Sequence, residues 1–413
     1  MKKVTSKSTK SLLLPVEAYR SQEWFDREQK DLFGCCWQFA GMTLDIPDVG
    51  DYLCVQVGLY PLIVVRGNDQ TLRAFHNICR HRGTQLLKVT GKGKKLIRCP
   101  YHNWVYSLDG ALSGVPQQEK FSDINISTLG LHPAAVETWK GMIFVHPDPS
   151  PEPLMTWLAG FPEKFGPHQP EKLVEAEKYT YQVKANWKIF VENYIDGYHL
   201  AHLHSETLRE YDHKNQEWSF VGRHWTFFEP LTKTYLDSLE KKSPLPIIDH
   251  IPREKIGAYV HMLFPNLGIV GTENTWMILH VIPVAPDQTT VEVRTWTMPI
   301  STMDYLAYGA WESFKSLTSK KTYLSLASYA EMMLIGTWFL WGSDDNNNKQ
   351  ENQNFLESGD VMLEDIYACE QQQKAMKSPK FGYSQLSEDE SSIIDFQRHL
   401  LDYFPLRSQS QEG

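Results

Sequence analysis

The chain has 413 residues, 42% hydrophobic and 12% aromatic, with 41 basic and 50 acidic side chains and a net charge of −9. Thirteen Trp and nineteen Phe exclude a disordered chain, because such chains are poor in aromatics and cannot bury enough apolar surface to fold. The acidic balance argues against nucleic acid as the main partner, which requires a basic footprint; six Cys are too few for a disulfide scaffold.

Lys2, Lys3, Lys7 and Lys10 open the chain, but only Leu12–Leu14 follow before Pro15, too short for the apolar core of a secretion signal. The longest apolar run, Met332–Trp341, is about half of the roughly twenty residues that a membrane span needs. A cytoplasmic protein with reduced thiols and no integral membrane span is therefore expected. Residues 1–36 form an N-terminal segment, helical over 11–36, in which Glu17, Trp24, Phe25 and Leu32 are spaced through charged sequence.

From Trp37 the pattern changes to short β-rich runs at Leu53–Val57, Leu62–Val65, Leu72–Phe75, Lys95–Arg98, Val105–Ser107 and Gly141–His146. Turn signals such as Gly67-Asn68-Asp69 and Asp109-Gly110 separate them. These runs predict a small all-β domain over 37–150, closed by the proline-rich stretch His146–Pro151. The remainder, 151–413, reads as a mixed α+β domain. Asn186–Leu203 looks helical, 259–284 and 289–299 look like antiparallel strands, and helices return at 303–341 and 361–377 around a polar loop at Asp344–Asn354.

The β domain contains Cys79-Arg80-His81 and, seventeen residues later, Cys99-Pro100-Tyr101-His102. Four such ligands can close a tetrahedral metal site. Structural zinc loops usually space their ligands by two to four residues, which the single residue between Cys79 and His81 does not match. The better reading is a [2Fe–2S] cluster with two Cys on one iron and two His on the other, the Rieske arrangement. Neutral imidazoles in place of thiolates raise the reduction potential from about −400 mV to between about −150 and +300 mV. The other four cysteines, Cys35, Cys36, Cys54 and Cys369, read as small buried hydrophobes.

A second cluster lies in Asn186–His204, where His199, His202 and His204 fall within six residues near several carboxylates. That composition suits iron held by nitrogen and oxygen ligands. His199 and His202 share a helix face, whereas His199 and His204 need a helix end or bulge, so spacing alone mildly favours the first pair. Asp196 lies one turn before His199 and can hold its tautomer.

Together these motifs resemble the α subunit of Rieske non-haem iron (ring-hydroxylating) oxygenases. The resemblance rests on C-x-H-x17-C-x2-H, on N-W-K and E-N followed by D-x2-H-x4-H, and on the late Glu364-Asp365-x3-Cys369-Glu370 segment. It implies an α+β fold, with a Rieske domain and a helix-grip catalytic domain whose antiparallel sheet is wrapped by helices. It implies mononuclear Fe(II) at His199, His204 and Asp365, with Glu364 and Asp360 as the other candidate acids. From the residues alone, an acid pair opening a helix equally serves the dipole. Asp196 becomes an electron bridge to His102 of the partner subunit, which requires an oligomer, expected as a head-to-tail homotrimer. Electrons are expected from NAD(P)H through a ferredoxin or flavin reductase.

The implied reaction is O2-dependent hydroxylation of an organic substrate. An aromatic or polycyclic compound is the main expectation, and a choline- or betaine-type quaternary ammonium compound the alternative. A Rieske electron carrier and a zinc-stabilised binding protein are the remote readings. Region 205–300 is expected to shape the substrate pocket, with Tyr211, Phe228, Met262 and Phe264 as lining candidates that could equally be core.

Overall fold

The structure, a computed structural model, describes residues 12–405 apart from 244, 300–358 and 384. The helix expected over 303–341, the run Met332–Trp341 and the loop Asp344–Asn354 lie outside the described residues. Among those described, no helix is long and apolar enough to cross a membrane.

In the N-terminal segment the described residues form helical turns over 16–35. A 3-10 turn at Val16–Tyr19 leads into α1 (Gln22–Arg27), capped by Ser21, then a π turn at Glu28–Leu32 and a 3-10 turn at Phe33–Cys35. Its anchor is Glu28, fully buried, whose carboxylate accepts from Lys188 Nζ (2.5 Å) and Trp187 Nε1 (2.8 Å). Replacing a buried ion pair by apolar groups can be neutral, but removing one partner costs about 3–5 kcal/mol. Leu32 and Phe33 enter the same core as Trp187 and Phe190. Cys36 and Cys369 are buried as expected, Cys54 is half-buried, and Cys35 is exposed at the outer end of the last turn, contrary to expectation.

The β domain is a six-stranded antiparallel sheet and a small three-stranded one. The strands are β1 (Gln38–Met42), β2 (Tyr52–Val57), β3 (Tyr60–Arg66), β4 (Leu72–His76), β5 (Ile97–Arg98), β6 (Val105–Tyr106), β7 (Leu112–Gly114), β8 (Pro133–Trp139) and β9 (Met142–His146). The order is β1-β9-β8-β4-β3-β2, with β5-β6-β7 separate. The sequence pattern missed β1, β7 and β8. β8 starts on a proline, β7 has three residues, and β1 is buried along nearly its whole length and so shows no alternation.

The C-terminal region holds a seven-stranded antiparallel sheet ordered β10-β16-β15-β14-β13-β12-β11. Its strands are β10 (Val174–Val183), β11 (Glu217–Val221), β12 (His224–Pro230), β13 (Gly257–Leu263), β14 (Leu267–Gly271), β15 (Thr275–Ala285) and β16 (Gln288–Thr297). Side chains alternate between faces. Trp225, Met262, Leu279 and Val293 pack on α2 (Trp187–Tyr194), while Leu263, Ile269, Trp276, Ile278 and Trp296 share a second core with Trp37, Phe39 and Phe144 of the β domain. Arg294 closes that interface, with bidentate bonds to Asp45 and to Glu175 at 2.7–2.8 Å. The single helix expected over Asn186–Leu203 is broken into α2 and a short α3 (Leu200–Leu203). The sheet is covered further by α4 (Val361–Ala375), close to the expected 361–377, and by α5 (Ser391–Leu401).

The second core holds buried neutral histidines. His224 donates through Nε2 to Trp157 O (2.8 Å) and accepts through Nδ1 from Phe264 N (3.1 Å). His168 donates to Thr272 O and His261 to Phe165 O. Burial pushes all three down to about 4. Between pH 6.5 and about 4 the unfolded chain binds protons that the folded chain refuses, so stability falls as pH drops through that window. Each histidine then costs about 2 kcal/mol at pH 5. The melting temperature should fall steeply from pH 6.5 to 4.5, and His168→Gln should flatten that slope.

Candidate metal centres

The Cys/His motifs form two loops of matching geometry, one between β4 and β5 and one between β5 and β6. In each, the Cys N–H donates to a carbonyl five residues on (Cys79 to Thr84, Cys99 to Trp104), and the residue four positions on donates back to the Cys carbonyl. Those residues are Gly83 and Asn103, with φ of +72° and +56°. Gly enters that region freely and Asn is the side chain that best tolerates it. Two different sequences therefore make one turn, and each presents its Cys and His together.

Cys79 and Cys99 are buried, and the His81 and His102 rings lie 4.5 Å apart. Both Nδ1 atoms are buried without a hydrogen-bond partner, the state expected of a nitrogen that binds metal rather than protein. Burial, with the positive potential of His102 and Arg82, lowers His81 and so favours the neutral imidazole that ligates. Trp104 stacks on His81 at 4.7 Å and 6°, and Pro100 is exposed. The donor set and the free nitrogens fit a Rieske cluster.

Sequence reading missed Tyr106. Its oxygen accepts from Arg80 N (3.0 Å), which leaves its hydrogen for Cys79 Sγ at 3.3 Å. A hydrogen bond to a ligating sulfur stabilises the reduced, more negative cluster. Tyr106→Phe should lower the midpoint potential, measured by EPR-monitored redox titration, with cluster content unchanged.

At the second centre, α2 stops at Tyr194 and the chain turns through Ile195–Tyr198. The Asp196 carboxylate makes the turn, accepting Tyr198 N through Oδ1 (2.6 Å). Its Oδ2 accepts from His199 Nδ1 (3.1 Å). The turn and α3 bring His199 and His204 together, with ring centroids 5.0 Å apart, while His202 is exposed and lies against Tyr198.

Asp365 completes the group from α4. Its Oδ1 lies 3.0 Å from His204 Nε2 and 3.6 Å from His199 Nε2, and one ligand atom from each of the three residues falls within 4.8 Å of the others. The other candidate acids stand apart. Glu364 is buried and accepts from His204 Nδ1 (2.7 Å) and Thr207 Oγ1 (2.8 Å), and Asp360 caps α4 through Met362 N and Leu363 N. Asn193, also missed by sequence reading, donates to Asp365 Oδ1 at 2.8 Å. The E-N step of the motif quoted above was its available signal.

Burial opposes a charged His204, but the hydrogen bonds and charges of Asp365 and Glu364 outweigh it and raise its pKa. Three carboxylates around two imidazoles make a pocket that demands positive charge. That demand, the 2-His-1-carboxylate donor set, and Nε2 atoms turned inward by Nδ1 bonds fit a divalent iron. A cleft of about 300 Å³, lined in part by Glu192, Asn193 and Asp196, opens beside the turn.

The four lining candidates do not form this site. Met262 and Phe264 are buried core, Phe228 packs on Tyr259, and Tyr211 bonds Glu273 in the second core. A row across the sheet, Trp218-Phe227-Val260-Val270-Met277, lies on the α2 side, the side that also buries Met262.

Residues 170–405 match the ring-hydroxylating α subunit (catalytic domain) family and residues 36–139 the Rieske [2Fe–2S] domain. The chain belongs to the ring-hydroxylating oxygenase α-subunit family. Among its relatives, the glycine betaine monooxygenase oxygenase subunit of Chromohalobacter salexigens is 39% identical over 203 residues, covering 48% of this chain and 45% of that one. The carnitine monooxygenase oxygenase subunit of Escherichia coli is 31% identical over 218 residues, covering 52% and 57%. The chain thus spans about half the length of the curated relatives it matches. The crystal structure of the quaternary ammonium Rieske monooxygenase CntA with L-carnitine shares the fold, with a TM-score of 0.67, 20% identity and 94% of each chain covered.

Asp365→Ala should abolish mononuclear iron with the cluster's visible spectrum intact, whereas Asp360→Ala should retain both metals. Glu364→Gln should weaken mononuclear iron binding about 10–100-fold, the usual cost of losing a carboxylate behind a ligating histidine. Iron quantitation on the purified variants decides.

Proposed function

We propose that the chain is the oxygenase component of a Rieske non-haem iron monooxygenase acting on a quaternary ammonium compound. The reaction uses O2 and electrons that originate from NAD(P)H and arrive through a ferredoxin or flavin reductase. The observation that carries the reading is the convergence of His199, His204 and Asp365, each braced by a second polar side chain, in a chain that also holds the Cys79, His81, Cys99, His102 set. Neither a Rieske electron carrier nor a zinc-stabilised binding protein would have a use for the second set.

When bound, the iron supplies oxygen activation and the [2Fe–2S] cluster supplies single electrons. The chain's own part is positional. Asp196 and Glu364 hold the Nδ1 protons of His199 and His204, so both Nε2 lone pairs face Asp365. Asn193 fixes one oxygen of Asp365 and leaves the other free. Asp196 also borders the open cleft, where His102 of the partner subunit can reach it. This role requires an oligomer, which we propose to be a head-to-tail homotrimer.

The relatives support the quaternary ammonium alternative over the aromatic or polycyclic expectation. Glycine betaine and carnitine monooxygenase subunits are 39% and 31% identical to this chain, while the α subunit of a 2-aminobenzenesulfonate 2,3-dioxygenase from Alcaligenes is 28% identical over a longer stretch. Oxygen uptake with a generic ferredoxin and reductase tests the choice. Glycine betaine, carnitine or choline should stimulate uptake with matching product, and Asp196→Ala should slow turnover and weaken mononuclear iron binding with the cluster retained. Stimulation by aromatic substrates alone would overturn the substrate class.

A further inference from the structure

The segment joining the two cluster loops carries a charge pattern that the proposed reaction does not use. From Ile78 to Leu108 the chain has Arg80, Arg82, Lys88, Lys92, Lys94, Lys95 and Arg98 and no Asp or Glu, although its overall net charge is −9. Arg80 turns inward to Gly130 O (2.5 Å) and Arg82 lies on Tyr101. Lys88, Lys92, Lys94, Lys95 and Arg98 are exposed, as is Val89 between them. Among the described residues no carboxylate pairs with any of these five side chains.

The loop that presents them is held in place. Gly91 exchanges both backbone bonds with Tyr52, Lys94 N donates to Gly50 O, and Gly93 N donates to Asp51 Oδ1. Asp51 itself is buried beneath the loop at 2% exposure, so it does not neutralise the outer surface. The strip runs on through β5 to Arg98, the neighbour of Cys99.

We propose that this strip is the docking surface for a small acidic electron-transfer protein. The inference rests on the oxygenase reading above and adds where the donor binds. An acidic donor is repelled by most of an acidic chain, so a local basic strip both steers it and fixes its orientation near the cluster. Redox encounters bury little area and depend on such charge matching. Each encounter passes one electron from the reduced donor, which is oxidised by one, to the cluster, which is reduced by one; no bond forms or breaks.

The test is stopped-flow reduction of the cluster by a small acidic [2Fe–2S] ferredoxin, kept reduced by its own reductase and NADPH. Wild type and the triple variants K92E/K94E/K95E and K92Q/K94Q/K95Q are compared at low and high salt, with the visible spectrum and dithionite reduction confirming an intact cluster. Reduction of the Glu variant should be about tenfold or more slower at low salt, the Gln variant intermediate, and all three should converge at high salt. Equal rates and equal salt slopes would overturn the proposal. So would a change in sedimentation, which would make the strip a contact between copies of this chain. Failure of the oxygenase reading shows separately, as a wild-type protein without a reducible cluster or without substrate-stimulated oxygen uptake.

Discussion

The mononuclear site depends on one carboxylate. Asp196 ends a helix that the surrounding sequence would otherwise continue, because its Oδ1 accepts the Tyr198 amide and its Oδ2 accepts the His199 imidazole. Without that turn His199 and His204 would lie on different sides of one helix, since five residues do not close a turn pair. With it, the two Nε2 atoms converge on Asp365, delivered from a helix more than 160 residues later in the chain. Local hydrogen bonding of an Asp side chain competes with helix propagation, and here that competition builds the site.

The sheet supplies the rigidity behind it. One face packs on α2, which is capped by Asn186 and carries Asn193, and the other face packs on the β domain. Tyr194 at the end of α2 bonds the carbonyls of His261 and Ile269 and lies against Gly268, where an added Cβ would come within 2.9 Å of its ring. The helix terminus is therefore pinned to the strands just before the turn that leads to His199 and His204. Arg294, bonded to both Asp45 and Glu175, ties the two domains across the other face.

Much of this was legible in the sequence, for identifiable reasons. Two Cys/His motifs and a clustered His motif are local, so their spacing reports on geometry directly. Strands β10, β11 and β12 were not legible. β10 is a mostly exposed edge strand with charges along it, and β11–β12 are joined by Gly222-Arg223, a weaker hairpin signal than Asn-Gly. The choice among His199, His202 and His204 was also beyond periodicity, because the helix break that decides it comes from a side chain, not from the hydrophobic pattern. Glu364 and Asp365 are adjacent and chemically alike. Only the helix face presented to His204 separates the one that holds Nδ1 from the one that meets both Nε2 atoms.

The two histidine pairs show how one side chain is set for two tasks. At the cluster loops, the Nδ1 atoms of His81 and His102 are buried with no protein partner, so the imidazoles would meet metal through Nδ1 with no carboxylate behind it. At the second centre Nδ1 is occupied by Asp196 or Glu364, and Nε2 is left to face Asp365. A carboxylate behind an imidazole makes it a stronger donor and fixes its tautomer. That suits an iron which must hold its ligands while its open positions exchange. Imidazoles without such backing add little negative charge to a cluster that must accept an electron. In the function proposed above, the difference in second partners, more than the count of ligands, divides electron storage from oxygen chemistry.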